Sequence, residues 1–192
     1  GNGHINHTYL LHVMEQNGNK KRMILQQMNR SVFKKPVEVM ENIMGVTSHL
    51  RRKIVENGGD PERETLNVLL AKDGKPYYVD SCGEYWRIYH FIEGASCYEQ
   101  VESEEDFYQS ALSFGNFQCL LSDYPAETLH ETIPGFHDTK QRFANFKRAV
   151  EADVMGRAKA VEREIEFALA REQDAAVLGN LLAAGELPLR VT

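Results

Sequence analysis

Hydrophobic and polar positions in the first part of the chain follow two different periods. Tyr9 and Leu11 face one way and the residues between them the other, a period of two that indicates a strand. RMILQQM repeats this alternation after the polar turn EQNGNKK, so residues 1–28 are predicted to form a β-hairpin. Apolar residues then recur at steps of three and four until ENGGDP, which predicts a helix over 36–56 that Gly45 weakens without breaking.

Three further alternating segments follow this helix. TLNVLLA and KPYYVDS each predict a strand, and the turn Asp73-Gly74 between them predicts a tight hairpin. EYWRIYHFI predicts another strand, which ends at Glu93-Gly94. Five strands and one helix over 1–93 indicate an α+β lobe.

Helical periodicity dominates from Ser103 onward. Ser103 with Asp106 three residues later predicts an N-terminal capping box. Further amphipathic helices are predicted through TKQRFANFKRAVEA, AKAVEREIEFALAREQ and DAAVLGNLLAAG, and ELPLRVT is expected to be extended. The stripe behind the capping box consists of Phe107, Ala111, Leu112 and Leu120.

The change from strands to helices predicts a domain organisation. Residues 1–93 form a sheet-rich lobe, 94–102 a hinge or linker, and 103–192 part of a helical lobe. An apolar content of 42% in 192 residues is sufficient for a packed core. The opening at Gly1, without Met or a basic segment, is interpreted as the start of an excerpt from a longer protein.

Charge and cysteine content exclude several classes of function. The net charge of −6 argues against nucleic acid or an anionic membrane surface as a partner, because both are bound through basic patches. No apolar run approaches the roughly 20 residues of a membrane span. Cys82, Cys97 and Cys119 lack metal-type spacing, and an odd number of thiols favours reduced, structural cysteines in the cytoplasm. The histidines are scattered, so zinc is not expected.

Six motifs in a fixed order resemble a known superfamily. They are GNGHIN.TYLL, ILQQMNRSVFKKP, VMENI..VT.HL, YWRIYHFIEGAS, FGNFQCLLSDYP and L.ETIPGFHDT..R...F. Together they are similar to the aminoglycoside phosphotransferase superfamily, and within it to the N-acetylhexosamine 1-kinase-like branch. The resemblance runs along nearly the whole chain and implies a protein-kinase-like two-lobe fold that binds ATP and Mg²⁺.

The resemblance also implies a nucleotide site. Main-chain N–H groups of the opening loop would donate hydrogen bonds to the β- and γ-phosphates of ATP. Tyr89 would form the back wall of the adenine pocket, and main-chain groups near His90 and Ile92 would bind the base. The residues of the loop are Gly1, Gly3, His4, Ile5 and Asn6.

Gln27 and Glu41 fall at the positions of the family's ion pair between strand and helix. The family usually presents Lys or Arg at the strand position, whereas the Gln27 amide can donate hydrogen bonds but carries no charge. Three nearby cations offer an alternative, and an alignment shifted by one residue offers another. The three cations are Arg30, Lys34 and Lys35.

The catalytic residues of the family would come after this stretch of sequence. The resemblance places the loop His-x-Asp-x-x-x-x-Asn, with its catalytic and Mg²⁺-binding groups, just beyond Thr192. The chain alone is therefore predicted to turn over no substrate. FHDTKQRFANF has the wrong spacing for that loop, and Asp138 is interpreted as a helix cap.

The resemblance implies a sugar kinase that transfers the γ-phosphate of ATP to the anomeric hydroxyl of an N-acetylhexosamine. An aminoglycoside- or choline-type kinase of the same superfamily is one alternative. The other is a non-catalytic, kinase-like module that binds a nucleotide or a partner, which the uncharged Gln27 favours. A Rossmann domain is excluded because its glycine fingerprint opens a helix, whereas here the glycines lead into a strand.

Overall fold

The structure is a computed structural model that describes residues 4–15, 17–98 and 100–191. It is an α+β structure, in which an antiparallel sheet of five strands precedes most of the helices. The strands are β1 (His7–Met14), β2 (Lys20–Gln27), β3 (Val68–Leu69), β4 (Tyr78–Val79) and β5 (Tyr85–His90).

The hairpin of β1 and β2 is confirmed, with His7 opposite Gln27 and Met14 opposite Lys20. β5 pairs with β2 on one side and with both β3 and β4 on the other.

The predicted hairpin between β3 and β4 is wrong. Its turn forms, since the Ala71 N–H donates to the Lys75 carbonyl, but the two strands pair with β5 and not with each other. Val68 and Leu69 lie opposite Tyr89 and Ile88, and β4 continues the same edge opposite Trp86 and Tyr85. Residues 70–77 therefore form an excursion from one interrupted edge strand.

The first predicted helix and the one through TKQRFANFKRAVEA are confirmed at the predicted bounds. The helix predicted through AKAVEREIEFALAREQ is shorter than expected, because its first four residues form a 3₁₀ turn and the α-helix ends at Leu169. The short helix Pro61–Glu64 was not predicted, because a single turn capped by Asp60 is too short to show a helical period. Short 3₁₀ turns occupy Ala126–Thr128 and Ala158–Val161. The helices are α1 (Pro36–Glu56), α2 (Pro61–Glu64), α3 (Glu104–Leu120), α4 (Thr139–Ala152), α5 (Glu162–Leu169) and α6 (Glu172–Ala183).

Helix α1 contributes to two buried clusters. Its first half places Val39 and Met40 against Met28, which follows β2. Its second half places Leu50 and Ile54 against Leu121, which follows α3. Because α1 supplies residues to both clusters, it holds the sheet and the end of α3 together.

The chain forms two compact units. The first contains the residues up to Ile133 together with Arg190 and Val191, and the second is Pro134–Leu189. The predicted hinge, 94–102, lies within the first unit and stays a prediction. Residues 186–191 form no strand, contrary to the expectation for ELPLRVT, because Val191 packs against the Leu121 cluster instead of joining a ladder.

The apolar stripe predicted for α3 is only partly buried. Leu120 packs on the Leu121 cluster, but Phe107 and Leu112 are 65% and 55% exposed. Only the C-terminal end of α3 reaches the cluster on α1, so the stripe near its N-terminus stays in solvent.

The capping box at the start of α3 is confirmed. Ser103 Oγ accepts a hydrogen bond from the Asp106 N–H, and the Asp106 carboxylate accepts one from the Ser103 N–H.

Ser103→Ala is expected to lower the free energy of unfolding of the first unit by about 1 kcal/mol. Urea unfolding followed by circular dichroism measures the change. Ser110→Ala, on the exposed side of the same helix, is the control, and an equal loss there would contradict a capping effect.

Candidate functional site

A row of polar side chains crosses the face of the sheet that packs against α1. Thr8, Gln26 and Arg87 lie directly opposite one another on β1, β2 and β5 and therefore share a face. The Gln26 amide nitrogen donates to Thr8 Oγ1 over 3.0 Å. Arg87 Nε and Nη2 both donate to Gln26 Oε1, over 3.0 and 2.8 Å. We call these three residues the Thr8–Gln26–Arg87 row.

Helix α1 lies over the Arg87 end of this row. Arg87 Nη1 is 3.9 Å from Met40 Sδ, and Met40 is fully buried. Tyr89, two residues along β5, shares this face with Arg87. Burial lowers the pKa of the Arg87 guanidinium and raises the pKa of the Tyr89 phenol. Arg87 nevertheless keeps its positive charge at every physiological pH.

Gln27 lies on the opposite face of the sheet. It is opposite Trp86, and its side-chain nitrogen donates to Glu84 Oε2 over 3.3 Å. Arg30 approaches the same carboxylate, with 3.9 Å between Arg30 Nη1 and Glu84 Oε1. Of the two adjacent glutamines, Gln26 is the one that faces α1.

Glu41 has a partner outside the sheet. Its carboxylate is 2.7 Å from His130 Nε2, and the neighbouring Asn42 exchanges two hydrogen bonds with the His130 main chain. The structure therefore does not bring Glu41 and Gln27 together, and instead uses this turn of α1 to hold the segment around His130.

The residues predicted for the adenine pocket have different environments. The His90 N–H donates to the Asn67 carbonyl over 3.0 Å, and the imidazole Nδ1 of His90 is 3.4 Å from Glu62 Oε2. Ile92 follows β5 and is 37% exposed. Tyr89 lies on the face with Gln26 and Arg87, whereas His90 points to the other face.

The structure describes part of the predicted phosphate loop. Gly1 and Gly3 lie outside the described residues. His4 and Ile5 are exposed. Asn6 Oδ1 accepts a hydrogen bond from the Asn29 N–H over 3.0 Å, so this side chain ties the loop to the end of β2.

A largely apolar cavity of about 490 Å³ lies beside β5, next to the 70–77 excursion. Leu25, Ile88 and Trp86 line it from the sheet, and Tyr78 lines it from β4. The Asp80 carboxylate at its edge accepts hydrogen bonds from Trp86 Nε1 and from main-chain N–H groups of the turn before β5.

These hydrogen bonds lower the pKa of the Asp80 carboxyl group, and the one from Trp86 has the largest effect. A lowered pKa in the folded state stabilises it above the unfolded pKa of about 3.9, and the stabilisation is lost as the pH falls through the folded pKa. Asp80→Asn is therefore expected to flatten the acid side of the pH–stability profile. Fluorescence of Trp86, the only tryptophan, measures the profile. Glu56→Gln is the control, and an unchanged slope in Asp80→Asn would contradict the assignment.

The second unit contains a shallower cavity of about 410 Å³, around the start of α4. His137 and Arg142 line it together with Phe136. Asp138 Oδ1 accepts a hydrogen bond from the Gln141 N–H over 2.8 Å, which confirms the predicted helix cap. FHDT thus begins α4.

Other features bear on chemistry and environment. Within the described parts of the chain, no three His, Cys, Asp or Glu side chains are grouped so that they could hold a metal ion. The three cysteines are free, as predicted, but they are exposed and not structural. No helix in the described ranges is long and apolar enough to cross a membrane.

Comparison of the sequence with models of known protein families finds no match. The motifs and the geometry of the Thr8–Gln26–Arg87 row are therefore the features that bear on function. The alternation of side chains could have placed Gln26 on the buried face of the sheet, because Gln26 is two residues before the fully buried Met28. The sequence does not show that Arg87 lies opposite Gln26, because the two residues are on strands distant in sequence.

Proposed function

We propose that this chain forms the nucleotide-binding part of a small-molecule kinase. The enzyme transfers the γ-phosphate of ATP to a sugar hydroxyl, and by resemblance the acceptor is the anomeric hydroxyl of an N-acetylhexosamine. The observation that carries the proposal is a helix, α1, packed on the face of an antiparallel sheet that presents polar and cationic groups. Kinases of this kind bind nucleotide phosphates where such a helix meets the sheet.

The order of the sequence motifs supports the same proposal. The confirmed hairpin, α1 and β5 occur in the order that the resemblance requires, and helices follow. The resemblance assigns the catalytic aspartate and the metal ligands to positions after Thr192. The contribution of this chain is therefore to bind the nucleotide and to position its phosphates.

Rate acceleration in this reaction class comes from alignment of the acceptor with the γ-phosphate and from neutralisation of charge on the transferring group. Mg²⁺ supplies part of that neutralisation when it is bound with ATP. The fixed donors of the chain supply another part, because they need no reorganisation during the transfer.

A non-catalytic nucleotide-binding module is the second candidate. Gln27, at the strand position where the resemblance leads one to expect Lys or Arg, favours it. A module of this type would bind the nucleotide through the same face of the sheet but would not transfer phosphate.

A phosphotransfer assay separates the two candidates. Labelled ATP is incubated with N-acetylglucosamine and N-acetylgalactosamine, using first this chain and then a longer polypeptide that carries it. We expect sugar phosphate only from the longer polypeptide. An aminoglycoside and choline are included as acceptors, because label on either would identify the other branch. ATP binding without label on any acceptor would favour the module.

A further inference from the structure

We propose that Arg87 binds a phosphate group of the nucleotide on the α1 side of the sheet. This inference rests on the proposed function and adds a named residue to it. It differs from the expectation drawn from the motifs, which placed the phosphate contact at Gln27 on β2.

The positive charge of the Arg87 guanidinium is not balanced by a nearby carboxylate. Among the residues that the structure describes, Arg87 has no carboxylate within ion-pair distance, although it is partly buried. Arg22, on the same face of β2, is paired with Glu93. A cation that has lost part of its hydration without gaining a counter-ion raises the free energy of the folded chain, and a bound anion restores the balance.

The hydrogen-bond donors of Arg87 have a fixed orientation. Gln26 Oε1 accepts hydrogen bonds from Nε and Nη2, which fixes the plane of the guanidinium. Thr8 in turn holds the Gln26 amide, so the carbonyl oxygen of this amide points to Arg87. Within the described ranges, the partner of Nη1 is the Met40 thioether, at 3.9 Å, and sulfur is a weak acceptor. Nη1 is thus a pre-oriented donor held by one weak acceptor, and a phosphate oxygen would be a stronger partner for it.

Two of the three other cations proposed for this contact, Arg30 and Lys35, are engaged elsewhere. Arg30 approaches Glu84 and contacts the Gly83 carbonyl on the opposite face of the sheet. Lys35 pairs with Glu38 at the start of α1. Planar guanidinium groups suit phosphate oxygens, since each can donate several charge-assisted hydrogen bonds.

The experiment compares three ligands on the wild-type full chain, on one variant at Arg87 and on one control variant. ATP, inorganic tripolyphosphate and adenosine are titrated by calorimetry into the wild type and into Arg87→Met. We expect the affinities for ATP and tripolyphosphate to fall about tenfold or more in Arg87→Met, and that for adenosine to stay the same. Arg52→Met is the matched control, because Arg52 lies on the exposed side of α1 and should affect none of the three affinities.

Thermal unfolding separates binding from a structural role. A methionine at 87 would sit beside Met40, and replacing an uncompensated charge by an apolar side chain is often neutral or stabilising. We therefore expect the ligand-free midpoint of Arg87→Met to be unchanged or raised, and the upward shift caused by tripolyphosphate to disappear. Arg87→Met leaves the Gln26 carbonyl oxygen without its donors, which could lower the midpoint of thermal unfolding. The double variant Gln26→Leu, Arg87→Met removes this amide and serves in that case.

The outcomes distinguish failure of the Arg87 site from failure of the proposed function. ATP and tripolyphosphate affinities that stay at the wild-type value in Arg87→Met would overturn the role of Arg87 and leave the proposed function standing. Tripolyphosphate binding that depends on Arg87, with no binding of ATP or adenosine, would keep the anion site and overturn the nucleotide. Wild-type chain that binds none of the three ligands would overturn both.

Discussion

Met40→Ala is expected to lower the free energy of unfolding of the first unit by about 2–5 kcal/mol. Met40 is fully buried between the sheet and α1, where it packs with Met28 and Val39. Truncation removes the apolar contacts of the side chain and leaves a cavity that the rigid sheet and helix can close only in part. The truncation would also remove the thioether that contacts Arg87. Urea unfolding followed by circular dichroism measures the loss.

Met14→Ala is the matched control for Met40→Ala. Met14 is at the end of β1 in the same unit and is 62% exposed. We expect a change within about 0.5 kcal/mol, as for most exposed positions. Equal losses in the two variants would contradict the placement of the core between the sheet and α1.

Leu121→Ala is expected to cost a similar amount, about 2–5 kcal/mol, through the second cluster. Leu121 is 1% exposed and packs with Leu50 and Ile54 from the other half of α1. Leu112→Ala is its control, because Leu112 is 55% exposed on α3. If Leu121→Ala left stability unchanged, α3 would not be packed on α1 as described.

The double variant tests how α1 joins the two clusters. The clusters share no residue, so the losses from Met40→Ala and Leu121→Ala should add within about 0.5 kcal/mol. The two single variants should also unfold in one cooperative transition, because α1 belongs to both clusters. Two separate transitions would show that the sheet and the end of α3 fold independently.

Features governed by local sequence were predictable. The hairpin of β1 and β2, the bounds of α1 and the capping box at Ser103 all follow from residues close together along the chain. In each case the alternation, the cap or the stop signal lies within or next to the element that it determines. The same reasoning identified Asp138 as the cap of α4.

Features governed by distant residues were not predictable. Local turn chemistry at Asp73-Gly74 favoured a hairpin, but β5 offered both short strands a better partner. Gly45 shows the same limit: a Cβ there would lie 2.5 Å from the Tyr124 hydroxyl, a contact that helix propensity does not reveal.

The candidate site was likewise predictable only where it depends on local sequence. Alternation on β2 assigns Gln26 and not Gln27 to the face with Met28, so that part could be derived from the sequence. The register between β2 and β5, which brings Gln26 opposite Arg87, could not. The partner of Glu41 is likewise set by tertiary structure, because His130 comes from a segment distant in sequence.

Calorimetric titration of the chain with ATP in the presence of Mg²⁺ tests the central claim most directly. The claim is that this chain forms the nucleotide-binding part of a kinase-like phosphotransferase. It predicts saturable binding at one site, with ADP competing for it. Absence of binding at millimolar ATP to chain that circular dichroism shows to be folded would contradict the claim.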